Sequence, residues 1–103
     1  MKYLTFLLLK FLLLSNFVMA ETIPTKSKIL KNASYCIKDS QAQVCKELVF
    51  DIEKLQLLVF DQNRFKCQSS LLGLQTEIIK AYFFNNFSND RISLMIPYVI
   101  KNC

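Results

Sequence analysis

The sequence predicts an all-α fold, a small bundle of about four helices stapled by disulfides, and three observations predict it. Apolar residues recur at steps of three and four in several separate stretches, the period of an amphipathic helix. No segment alternates apolar and polar residues as a half-buried strand would, and no hairpin dipeptide separates two such runs. Four cysteines, an even number, stand in a chain of 103 residues that has one glycine and no histidine, which reads as a disulfide framework where the compartment is oxidising.

The first twenty residues point to that compartment. Met1-Lys2 is a positive start, Tyr3 to Leu9 and Phe11 to Leu14 are apolar, and Val18-Met19-Ala20 has the small-x-small ending of a cleavage site, so residues 1–20 are expected to be a signal peptide. The competing expectation, an uncleaved anchor, is disfavoured by Lys10 in the middle of the apolar run. Export to the periplasm is the expected location, with secretion as the alternative, and no membrane association is expected after cleavage. From Glu21 onward eleven basic residues stand against eight acidic ones, a net charge of +3. With no basic run, so mild an excess does not indicate nucleic acid or anionic lipid as a partner.

Residues 21–27 contain Pro24 and no apolar period, and are expected to be a flexible leader to a helical domain over 28–103. The first helix is expected over about 28–38, on Ile29, Leu30, Ala33, Tyr35, Cys36 and Ile37. Asp39-Ser40 then offers a cap for the second, over 41–62. There Val44, Leu48, Ile52, Leu55 and Val59 form one stripe, Phe50, Leu57 and Phe60 are expected to widen it, and Lys46, Glu47, Asp51, Glu53, Lys54 and Gln56 to fill the solvated side. Asp61-Gln62-Asn63-Arg64 is a reversal. Ser69 or Ser70 can cap a third helix carrying Leu71, Leu74, Ile78 and Tyr82, with Leu72, Ile79 and Phe83 alongside and Gly73 in its first turn. The polar run 85–90 ends it. Asp90 or Ser93 can start a fourth helix that carries Ile92, Met95, Ile96, Val99 and Ile100; the preferred start at Ser93 leaves Pro97 near the first turn, where its missing N–H costs little, and the alternative is a helix kinked at Pro97.

Short loops make successive helices antiparallel, and that geometry chooses among the three possible pairings of Cys36, Cys45, Cys67 and Cys103. Cys36 and Cys45 flank one turn, while Cys67 opens the third helix and Cys103 closes the fourth, which returns to the same end. Cys45 and Cys67 flank a helix of roughly 30 Å, far beyond the Cα separation of about 4.4–6.8 Å that a disulfide spans. The expected bonds are Cys36–Cys45 and Cys67–Cys103. A zinc site is not expected, because the gaps between cysteines are 8, 21 and 35 residues and histidine is absent.

The missing histidines also remove the usual general base and every Ser-His or Cys-His dyad. Asp51 and Glu53 lie two apart on a helix and point apart, and a single glycine cannot build a phosphate-cradling loop. No catalytic residue, metal or cofactor is expected, and the sequence reads as a binding protein and not as an enzyme.

Tyr35-Cys36 ahead of a helix that opens with Cys45, then Phe65-x-Cys67, then Leu74-Gln75-x4-Lys80-x-Tyr82-Phe83, and last Cys103, together resemble the Rap/Tai group of immunity proteins over about residues 35–103. The resemblance implies a helical, disulfide-bonded and often dimeric periplasmic inhibitor. It would bind a peptidoglycan amidase, or another cell-wall hydrolase, delivered by a type VI secretion system, and cover its Cys-His groove.

Helices spend their apolar faces on the core, so the turns are the expected partner-binding surfaces. One is Asp61, Gln62, Asn63 and Arg64. The other is Asn85, Asn86, Ser88 and Asn89, joined by Phe84 and Phe87 as exposed aromatics that suit a partner or a homodimer contact. Tyr82 and Phe83 are expected in the core. Two other functions fit the same residues: a small periplasmic stress chaperone, and a secreted helical effector or ligand.

Overall fold

The computed structural model describes residues 23–85 and 89–103; the expected signal peptide, and Asn86, Phe87 and Ser88 in the turn, lie outside the described residues. Among the described residues there are four α-helices and no strand: α1 Lys26–Lys38, α2 Gln43–Asp61, α3 Phe65–Phe83 and α4 Asn89–Asn102. Each helix packs on its sequence neighbour, and α1 also meets α4, which closes an up-and-down ring. No helix among the described residues is long and apolar enough to cross a membrane.

The helix α1 begins inside the stretch expected to be leader. Thr25 caps it, its Oγ1 accepting the N–H of Lys28 at 3.2 Å, and Pro24 is buried. Ile29, Ala33 and Cys36 form its buried stripe. Asp39 closes α1 and does not cap α2. Its N–H donates to the Tyr35 carbonyl, and its Oδ1 accepts the N–H of Gln41, an Asx turn that delays α2 to Gln43.

The centre of the bundle is Leu48, Ile52 and Val59 of α2 against Leu71, Leu74 and Ile78 of α3, with Ile92 and Val99 of α4. The two long helices also share a polar contact. Gln56 Nε2 donates to Gln75 Oε1 at 2.8 Å, and Gln75 Nε2 donates to Glu53 Oε2 at 2.9 Å and to the Val49 carbonyl at 3.0 Å. Gln56, expected on the solvated side, is thus buried, because Gln75 supplies the partner that burial of an amide requires.

Asn63 ends α2. It adopts a left-handed φ of 59°, its N–H donates to the Phe60 carbonyl, and the N–H of Arg64 donates to the Val59 carbonyl. This is the Schellman pattern with asparagine in the usual glycine position. The reversal is so tight that Gln68 N–H already bonds the Arg64 carbonyl, and α3 starts at Phe65 instead of at Ser69 or Ser70. Ser70 is buried, donating to the Lys66 carbonyl and accepting from Asn102 Nδ2 at 2.7 Å. Gly73 consequently lies in the third turn of α3, where an added Cβ would overlap Met95 Cε, the flexible end of a side chain of α4.

The helix α4 starts at Asn89 and not at Ser93, so Pro97 lies in the helix interior. Residues 93 and 97 are both exposed, so the carbonyl that loses its partner faces water. The Ile92–Val99 seam, buried against the core, holds the helix through the proline.

Both cystines are as expected: Cys36–Cys45 with Cα atoms 5.1 Å apart and Cys67–Cys103 with 4.8 Å. One bond sits at each end of the bundle.

Candidate functional site

The two expected contact surfaces lie at opposite poles, because each is the far end of helices nineteen residues long, a separation of about 28 Å. They do not form one site.

At the first pole, Asp61, Gln62, Asn63 and Arg64 are all exposed, but three of them are already in use. Asn63 terminates α2 as described. Arg64 Nη2 donates to the Cys103 carbonyl at 2.9 Å, and its Nη1 to Gln62 Oε1 at 3.4 Å. Lys26 Nζ reaches the Ile100 carbonyl at 3.5 Å at this same end. Arg64 therefore ties the α2–α3 turn to the end of α4, next to the Cys67–Cys103 bond.

The second pole collects the α1–α2 turn and the end of α3. Gln41 Nε2 donates to Asn85 Oδ1 at 2.8 Å and to the Ala81 carbonyl at 3.2 Å, with the Tyr82 carbonyl at 3.5 Å. Asn85 has a left-handed φ of 50°, so it too ends a helix. Cys36–Cys45 fixes the other half of the pole. Phe84 projects from this scaffold with 73% of its surface exposed, more than any other large hydrophobic residue described. Tyr35, half exposed in the last turn of α1, has Lys38 Nζ 5.9 Å from its ring centroid. Of the expected contact residues, Phe84 and Asn85 are placed here. Asn86 and Phe87 lie outside the described residues, and Asn89 is the first residue of α4.

Several residues expected to widen the core do not. Phe50, Leu57 and Phe60 of α2 are 56%, 61% and 51% exposed. Leu72 and Phe83 of α3 are about half exposed as well, Tyr82 is half-buried with its ring edge-on to Phe83 at 4.9 Å, and Ile100 of α4 is exposed. The core side of α2 is filled by Leu48, Ile52, Leu55 and Val59, and a residue one or two positions off that stripe turns away from it. Spacing carries this signal: Phe50, Leu57 and Phe60 step by seven and three, a stripe of their own.

Among the described residues, no group of three His, Cys, Asp or Glu side chains is placed to hold a metal ion, and every buried polar side-chain atom has a hydrogen-bond partner. Comparison with protein-family models, with curated proteins and with solved structures gives no match.

Proposed function

We propose that this chain is a binding protein of the immunity type, exported to the periplasm, which inhibits a peptidoglycan amidase toxin of a type VI secretion system by docking the Phe84 pole against it. The observation that carries this reading is the exposure of Phe84 at a helix end held by the Gln41 hydrogen bonds, the Cys36–Cys45 bond in turn joining the two helices on either side of the turn that carries Gln41. An aromatic anchor on a preformed support is what a tight inhibitor uses, since little ordering entropy is lost when it binds. The cystines suit an oxidising compartment, and the residue pattern from Tyr35 to Cys103 resembles that of the Rap/Tai group.

The experiment is capture of exported peptidoglycan hydrolases on the oxidised protein, followed by a growth assay in cells that export the captured enzyme. Rescue of growth, with a dissociation constant below about 1 µM, equivalent to about −8 kcal/mol, is the expected result. Binding to no hydrolase at that strength would remove the inhibitor reading.

A further inference from the structure

On the outer side of the bundle, α2 and α3 border a groove with apolar walls. Phe50, Leu57 and Phe60 on α2 and Phe65, Leu72 and Phe83 on α3 are all about half exposed or more. Steps of seven and three on α2, and of seven and eleven on α3, keep each trio within about a quarter of its helix circumference. The two rows meet at one end, where the Phe60 and Phe65 rings lie 6.0 Å apart in an edge contact. An aromatic side chain carries about 150–250 Å², so with its two leucines the half-exposed set presents on the order of 500–600 Å². That is the upper limit for the largest apolar patch of a monomer, a size that marks an interaction site.

Two charges stand between the rows, both on α2 and both exposed: Lys46 and Glu53. They are seven residues apart, two turns or about 10.5 Å along one side of the helix. Glu53 is held in place. Its Oε2 accepts from Gln75 Nε2 at 2.9 Å across the floor of the groove, and the buried Gln75 is itself fixed by the Val49 carbonyl and by Gln56. Among the described residues nothing meets the second oxygen of Glu53, Oε1, and nothing pairs with the Lys46 ammonium. The α3 wall is uncharged on this side, because Lys66 and Lys80 lie on its α4 flank, while Glu47 and Lys54 lie beyond the α2 row, toward α1.

We infer that this groove receives an amphipathic α-helix of a partner protein, one whose apolar stripe is edged by an acidic and a basic residue seven positions apart. A stripe at i, i+3, i+4 and i+7 lays into two such walls as a third helix. The acid then meets Lys46 and the base meets the open oxygen of Glu53. Covering the groove is what makes these charges selective, since a charge left unpaired in a dry contact costs far more than an exposed one. A lipid surface offers no such pair: anionic headgroups repel Glu53, and hydrocarbon leaves both charges unmet. Phe84 follows the end of the α3 row, so this inference stands apart from what the Phe84 pole binds.

The test uses the disulfide-bonded protein and three synthetic helical peptides of about twenty residues, long enough to hold helix in water. All share one leucine stripe and differ at two edge positions seven apart, which carry Glu and Lys, Glu and Glu, or Lys and Lys. Fluorescence anisotropy should give a dissociation constant below about 50 µM for the Glu/Lys peptide, with each like-charged peptide about tenfold weaker. Charge reversal on the protein should move the preference, Lys46→Glu to the Lys/Lys peptide and Glu53→Lys to the Glu/Glu peptide. Leu57→Glu should weaken all three by at least about tenfold, and Leu94→Glu, on exposed α4, should change nothing, each with an unchanged helical circular dichroism spectrum. Should a variant fail to fold, the three peptides on the unmodified protein still decide. Equal affinity for the three, or no binding of the Glu/Lys peptide at about 500 µM, overturns the inference, as does a preference that neither reversal moves. Binding to phosphatidylglycerol vesicles that Leu57→Glu abolishes would assign the face to lipid, and a dimer that Leu57→Glu dissociates would assign it to a second copy; either result overturns it as well.

Discussion

Replacing Gln75 by alanine should cost this fold more than its position on a largely polar-looking stretch suggests. Gln75 is 6% exposed and makes three hydrogen bonds across the α2–α3 interface, to Gln56, Glu53 and the Val49 carbonyl. The Val49 carbonyl keeps its own helical partner four residues on, so its loss counts for little. Glu53 is exposed and can turn to water. The amide of Gln56, 8% exposed, has no such route, and a buried donor left unsatisfied costs about 1–3 kcal/mol. Together with the packing lost from Gln75 itself, the expected destabilisation is about 2–3 kcal/mol. At about 4–8 °C per kcal/mol for a domain of this size, the midpoint of thermal unfolding should fall by roughly 8–24 °C. Urea unfolding of Gln56→Ala, Gln75→Ala and the double variant should give a coupling near 1 kcal/mol, and replacing both residues by leucine should be close to neutral. A loss below about 0.5 kcal/mol for Gln75→Ala, with no coupling, would refute the view that this contact is buried and fully satisfied.

Three further outcomes follow from the same structure. Removing Cys67–Cys103, which closes a loop of 36 residues, should destabilise by about 4 kcal/mol, against about 2.5 for Cys36–Cys45 with its separation of 9; chemical denaturation of the paired alanine variants gives the order, and the reverse order would contradict the loop-entropy reasoning. Asn63→Val should lose about 1–2 kcal/mol because φ is 59° there, whereas Asn63→Gly should be neutral or better. Pro97→Ala should raise stability by about 1–3 kcal/mol by restoring an interior helical hydrogen bond, and thermal unfolding would show no gain if the helix were instead broken at that point.

The helices and cystines were legible in the sequence because each depends on local periodicity and on chain reversal. Leu48, Ile52, Leu55 and Val59 had to face one way, and the long helix that separates Cys45, near its start, from Cys67, beyond its end, left the observed pairing as the geometrically open one. The helix starts were less legible. Asp39, Ser69 and Ser93 all carry side chains able to cap, but a cap is chosen by competition with neighbouring turns: Asp39 bonds Gln41, and the Asn63 reversal starts α3 before either serine is reached. Pro97 misled for the opposite reason, since its local preference yields to the burial of Ile92 and Val99. The exposure of Phe50, Leu57 and Phe60 was hidden by composition, because a phenylalanine counts the same whether it fills the core or faces solvent, and only its spacing off the Leu48–Val59 stripe separates the two. Of the expected contact residues, Asn63, Arg64 and Asn85 have structural work of their own, while Phe84 stands free at the pole.

The most direct test of the central claim is a calorimetric titration of a captured peptidoglycan amidase with the oxidised protein and with Phe84→Asp. The unmodified protein should bind below about 1 µM and abolish hydrolysis, and Phe84→Asp should weaken binding by at least about 30-fold, the loss of one central aromatic anchor, while keeping its unfolding midpoint. Equal affinity of the two proteins for the amidase would contradict the assignment of Phe84 as the anchor.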